Sequence, residues 1–261
     1  MSTQDRECDS DSDLNEEFED VPGIQHPTNS NSNGTSSPFF SNSNQSPAQP
    51  TKTKSWTPTL TLPPQNPTPI PGSEEETQLR GRVSTAIERI TYRQMKSEMG
   101  MDAPDTHTSH RRYENFADFA ADVNALIDLL WASASPSIQT ESLITLAGIT
   151  ETALPTHPFD GPAALTLLHK FDEVFVALCT GVHPLTGEPL REALAGRVLV
   201  TQTQKVRIRS LAETTRFKVF SVLPVDGEEE GGEEEEAGEQ PWVLEATRVY
   251  DRTLMLLADD E

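Results

Sequence analysis

Five basic side chains, Lys205, Arg207, Arg209, Arg216 and Lys218, fall within fourteen positions that hold a single acid, Glu213, in a chain of 261 residues and net charge −22. Cations gathered in this way bind anions. Three anions suit them: a polyanion such as nucleic acid, the acidic surface of a partner protein, or the chain's own acidic run at 226–239. Residues 5–20 and residues 226–239 hold nine acids each, so two solvated segments supply most of the net charge. A chain this acidic repels free nucleic acid. Aromatic residues do not alternate with the cations in the way a base-stacking platform requires. Direct nucleic-acid binding is therefore disfavoured, and the five cations are candidate residues for docking an acidic segment of a protein partner. The competing reading pairs them with acids such as Asp172, Glu173 or Glu213, or leaves them solvated.

No other constellation carries catalysis. The histidines are His26, His107, His110, His157, His169 and His183. None has the spacing of a zinc site, and His107 and His110 lie in a polar connector with no third ligand nearby. His157 and His183 each precede a proline, which suits structural roles in turns. Asp172 and Glu173 are adjacent on a helix, so their carboxylates diverge and cannot act as a dyad. Phosphate-binding glycine loops and nucleophile elbows are absent from the sequence. Cys8 and Cys179 form no disulfide framework, and Cys179 fits a small buried hydrophobe. The expectation is a non-enzymatic protein with no catalytic residue, no metal and no cofactor. The sequence offers no secretory signal and no apolar run of membrane-spanning length, so a soluble, intracellular chain is expected.

The elements that must position the cations are helical. Residues 1–72 contain eleven prolines and a Ser/Asn-rich stretch, and they read as a disordered acidic tail. Phe39, Phe40 and Trp56 are isolated anchors within it. Ser37, Ser46, Thr57 and Thr68 each precede proline, the dipeptide of proline-directed kinases. A helical domain follows over 73–261, interrupted by an acidic disordered loop at 226–239. Ser73 and Glu76 form a capping box for a first helix reaching Glu98. A second helix over 115–132 has Phe116, Phe119, Val123, Leu126, Ile127, Leu130 and Trp131 on one face. Ser135 and Pro136 start a third, with Ser135 as its cap. Asp160-Gly161-Pro162 opens a fourth that Gly181 ends, its apolar face leaving out Leu165 and Val176. A last helix spans 241–258. The fold class is all-α, a compact bundle of about six helices.

Thr201 and Gln204 form a capping box for the basic helix, which runs to Val222. On a helical wheel Ile208, Leu211, Ala212, Val219 and Val222 make one apolar arc, and Val206, Phe217 and Phe220 make another. Lys205, Arg209 and Arg216 align between them, and Arg207 and Lys218 project from the far side. Two apolar arcs predict two helical neighbours, with the three aligned cations in a seam.

Several strings then occur in a fixed order. These are Tyr113-Glu-Asn-Phe116, Leu130 to Gln139, Leu154-Pro155, Leu168-x-Lys170-Phe171-Asp172-x-x-Phe175, Thr186 to Leu190, and Lys205 to Leu211. Together they resemble the fungal family of subunit eleven of the general transcription factor TFIIH, over about residues 80–223. The tail, the acidic run and the last helix lie outside the part that carries the likeness. The resemblance implies a nuclear, non-enzymatic protein. It would bind the DNA helicase/translocase subunit of TFIIH and promote that subunit's release after transcription initiation. It implies no catalytic residues. An alternative from another class is an acidic, chaperone-like protein that binds basic partners such as histones through its acidic segments.

Overall fold

The computed structural model describes residues 56–101, 111–223 and 241–258. Among them the fold is all-α, with an isolated antiparallel bridge between Val182 and Pro189. In chain order the helices are α1 (Glu74–Glu98), α2 (Phe116–Ser133), α3 (Pro136–Ala153), α4 (Gly161–Thr180), α5 (Arg191–Leu194), α6 (Gln202–Val222), α7 (Val243–Ala246) and α8 (Asp251–Ala258). The residues expected as an acidic tail through position 55, the acidic run 226–239 and the histidines at 107 and 110 lie outside the described residues.

α2 and α4 form the centre. All seven apolar residues that the periodicity assigns to the α2 face are buried. Phe171 and Phe175 of α4 stack with ring centroids 5.9 Å apart, and both are fully enclosed. Each such side chain contributes on the order of 2 kcal/mol through removal from water. α4 packs on α2 and on α8, α3 packs on α2 and α6, and α1 crosses α2 and α3. Leu165, left off the α4 face by sequence periodicity, is 3% exposed. The layer of α7 and α8 covers that side of α4 too, so the helix is enclosed over a wider arc than one apolar stripe. Cys179 is half-buried and packs against the core.

Helix ends follow local chemistry with two departures. Ser73 Oγ accepts from the Glu76 N–H, but the Glu76 carboxylate reaches past the cap to accept from the Gly72 N–H at 2.6 Å. That hydrogen bond, and a second from the Ser137 hydroxyl, hold the Glu76 carboxyl below its ordinary pKa. Ser135 occupies the cap position before Pro136, yet its hydroxyl makes no capping hydrogen bond and pairs with Ser137 Oγ instead. Gly181 ends α4 at φ 72°, where a Cβ would lie 2.8 Å from Ala193 Cβ. Both the left-handed backbone and the close approach of α5 require glycine there.

The helix expected over 241–258 is broken into α7 and α8, with Tyr250 in the left-handed region at φ 56°. The cap for α8 comes from another helix. Asp172 Oδ1 of α4 accepts from the Thr253 N–H at 2.8 Å and from the Thr253 hydroxyl at 2.6 Å. The break also turns the Tyr250 ring toward Phe175, with centroids 6.3 Å apart, and lets Trp242 lie on Gly161, where no Cβ would fit. No local sequence signal encodes a cap that lies 81 residues away.

Residues 56–72 also depart from expectation. Their composition reads as tail, yet they run along the helical domain without helix or strand over 56–70, with Trp56 and Leu62 packed against the core. The segment supplies donors to the end of α2, whose last carbonyls have no partner within the helix. Ala132 O accepts from the Asn66 N–H at 2.8 Å, and Ala134 O accepts from the Thr68 hydroxyl at 3.1 Å. Gln139 Nε2 donates to Leu130 O and Trp131 O at the same helix end. The chain upstream of α1 is recruited because backbone acceptors there would otherwise face a half-buried surface unpaired.

Candidate interaction surface

The capping box at Thr201 and Gln204 forms in both directions and starts α6 where the sequence places it. Ile208, Ala212, Thr215 and Val219 are the buried residues of this helix. Gly148 of α3 leaves room for Leu211 Cδ1, which would lie 3.8 Å from a Cβ at that position. α6 thus rests on α3 along one flank and on α8 along the other.

The five candidate cations separate onto these flanks. Arg207 pairs with Glu141 of α3 at 2.7 Å, and Lys218 pairs with Glu151 of α3 at 3.0 Å. Arg216 reaches Asp251 of α8 at 2.7 Å and donates to Thr247 O at 3.2 Å. Arg209 pairs with Glu213 one turn along the same helix at 3.1 Å. Lys205 and Arg209 line a groove of about 290 Å³ with Val206, Ser210, Glu213 and Leu257 of α8. Hydrogen bonds from Gln204 and then Arg207 hold the Glu141 carboxyl below its ordinary pKa. Of the acids weighed as partners from sequence, Glu213 alone pairs with one of the five in these bonds. Asp172 is the cap of α8, and Glu173 pairs with Arg252. Glu141, Glu151 and Asp251 escape a sequence search because they are distant in the chain.

Among the described residues the second apolar arc has no helical neighbour, contrary to expectation. Val206, Phe217 and Phe220 are 62%, 74% and 47% exposed. At about 100° per residue they lie roughly 120–180° around the helix from Ile208. α8 is only eight residues long and covers the Arg216 flank, so it does not reach around to them. The outer face of α6 therefore presents two phenylalanines and a valine to solvent beside Arg209 and Glu213. Phe217 and Phe220 are neighbours three residues apart, whereas Val206 lies about 16 Å away along the axis. Adjacent exposed apolar groups mark interaction surfaces more often than isolated ones do.

Other charged groups bind the bundle to itself. Arg93 of α1 pairs with Asp122 of α2 at 2.6 Å and sits 3.8 Å over the Tyr113 ring. The Tyr113 hydroxyl donates to the same carboxylate at 3.0 Å, and burial pushes its pKa well up. The nearly buried ammonium of Lys170 is paired with Asp128 at 2.8 Å. His157 faces Gln94 Oε1 at 3.3 Å, and His183 Nδ1 accepts from the Leu185 N–H at 3.2 Å. His183 holds its own turn, and His157 ties the α3–α4 connection to α1. Among the described residues no group of three or more His, Cys, Asp or Glu side chains could hold a metal, and no helix is long and apolar enough to cross a membrane.

The family model described as subunit 11 of the general transcription factor TFIIH matches residues 112–258. The chain belongs to this family. Membership associates it with TFIIH and the nuclear transcription machinery. The match spans the whole of α2 through α8, including the last helices and the acidic run that the sequence resemblance left out. It excludes α1, which the resemblance had included in large part. No curated protein and no solved structure matches the chain.

Proposed function

We propose that this TFIIH-family protein is a non-enzymatic regulator that binds the DNA helicase/translocase subunit of TFIIH. Its effect is to promote dissociation of that subunit from the complex after transcription initiation. The observation that carries the reading is the family match across α2 to α8. The exposed arc of Val206, Phe217 and Phe220 supplies a physical route, since it can dock on a helicase surface otherwise used to hold that subunit in the complex. Arg209 and Glu213 flank the arc and set its register. The contribution of Arg207, Arg216 and Lys218 is indirect, because their pairs with α3 and α8 hold α6 in place.

Affinity purification of the tagged full-length protein tests this directly. Recovery of the TFIIH helicase at moderate salt is expected, and adding excess protein to purified TFIIH should release that subunit. A preparation that recovers no helicase sinks the proposal. Replacing Val206, Phe217 and Phe220 together by serine should weaken capture at least about tenfold, since each apolar side chain buried on binding contributes on the order of 1–2 kcal/mol. The fold should persist, because all three side chains are solvated.

A further inference from the structure

Thr68 stands where residues 56–70, which form no helix or strand, are hydrogen-bonded to the helical domain. Its hydroxyl lies 3.1 Å from Ala134 O and 2.5 Å from Glu192 Oε1. Both neighbours are acceptors, so the one hydroxyl proton serves both, and the threonine can only donate here. Glu192 is 8% exposed, and its other oxygen pairs with Arg197 at 2.8 Å. Two residues upstream, the Asn66 N–H donates to Ala132 O. Thr68 is half-buried and outside helix and strand, and Pro69 after it biases its backbone toward the extended region. That is the form in which proline-directed kinases take their substrates.

We propose that Thr68 is a phosphorylation site for a proline-directed Ser/Thr protein kinase and that its phosphorylation detaches residues 56–70 from the helical domain. In the transfer, Thr68 Oγ bonds to the γ-phosphorus of ATP, and the bond from that phosphorus to the β,γ-bridging oxygen breaks. ADP leaves with the electron pair, and the hydroxyl proton passes to the kinase's base. The product has lost the proton that both acceptors shared. It carries a charge of about −1.5 to −2 and three further acceptor oxygens. These would face a backbone carbonyl and a buried carboxylate. Arg197, about half exposed, can follow the phosphate outward only by leaving Glu192, which strips a buried carboxylate of its cation. Every arrangement with the phosphate in place therefore costs more than letting the segment go. Thr57, the other Thr-Pro site of the segment, is exposed, so a phosphate there stays in water and leaves these contacts intact.

The test uses the full-length chain with a proline-directed kinase of the mitogen-activated class and Mg-ATP. Mass spectrometry locates the phosphate, and hydrogen exchange reads residues 56–70 before and after treatment. The expected result is phosphate on Thr68 and at least tenfold faster exchange at the Asn66 amide. The same acceleration should occur in Thr57→Ala and be absent in Thr68→Ala, each compared with its own untreated sample. Absence of phosphate on Thr68 overturns the proposal, and so does phosphorylated Thr68 with unchanged or slower exchange. The readout needs no helicase, so it stands apart from the proposed TFIIH role.

Discussion

α4 and α6 are nearly equal in length, at 20 and 21 residues, and they use charge in opposite ways. α4 buries thirteen of its residues, and three of them, Lys170, Asp172 and Glu173, are ionisable. Each of these meets a group from another element: Asp128 of α2 for Lys170, and Thr253 and Arg252 of α8 for the two acids. α6 buries four residues, none of them charged. Three of its cations, Arg207, Arg216 and Lys218, lie along the flanks and clip the helix to α3 and α8 at the protein surface. A buried charge must have one specific partner, because desolvation without it is expensive, whereas a surface charge can pair loosely. The enclosed helix thus fixes topology, and the surface helix keeps an apolar face in reserve.

The sharpest way to break this contrast is to truncate one phenylalanine in each helix. Phe175→Ala should destabilise by about 4 kcal/mol in urea unfolding, whereas Phe217→Ala should change stability by no more than about 0.5 kcal/mol. Similar losses at the two sites would mean that the outer face of α6 is not solvated. Next in size is the remote cap. Asp172→Ala should cost about 2 kcal/mol and speed hydrogen exchange in α8. Asp172→Asn should keep most of that stability, because its amide oxygen can still accept from Thr253.

The same pair of variants separates capping from titration. Burial raises the Asp172 carboxyl above its ordinary pKa, outweighing the hydrogen bonds from Thr253 that lower it. The folded state therefore holds this proton to higher pH than the unfolded state does. Its contribution to stability is complete below the unfolded value and declines as pH rises through the folded one. Asp172→Asn should remove that part of the pH dependence, and an unchanged profile would contradict it. The smallest effect belongs to α6. A double-mutant cycle on Arg207 and Glu141, both about half exposed, should give a coupling below about 1 kcal/mol. A coupling of several kcal/mol would place this pair with the buried ones.

Legibility followed the range of the interaction. The α2 face could be read because seven apolar residues keep one helical period, and burial confirms all seven. The start of α6 could be read because Thr201 and Gln204 cap each other within four residues. The break at Tyr250 could not, since its stabilising cap arrives from Asp172. The five cations were legible as a cluster, but periodicity could not separate those that clip α6 to its neighbours from the apolar arc left open. That arc resembled a second core face because Val206, Phe217 and Phe220 have the composition and spacing of one.

By itself the sequence determined the all-α class, most helix boundaries and the resemblance to the TFIIH subunit family, because these depend on periodicity and on contacts within a few residues. Tertiary structure alone decided which of two equally apolar arcs of α6 is buried. It also decided which acids answer Arg207, Arg209, Arg216 and Lys218, and that residues 56–70 close the end of α2. The reason is physical: burial and pairing depend on which surfaces meet after folding, and one helical period can describe a core face or a docking face equally well.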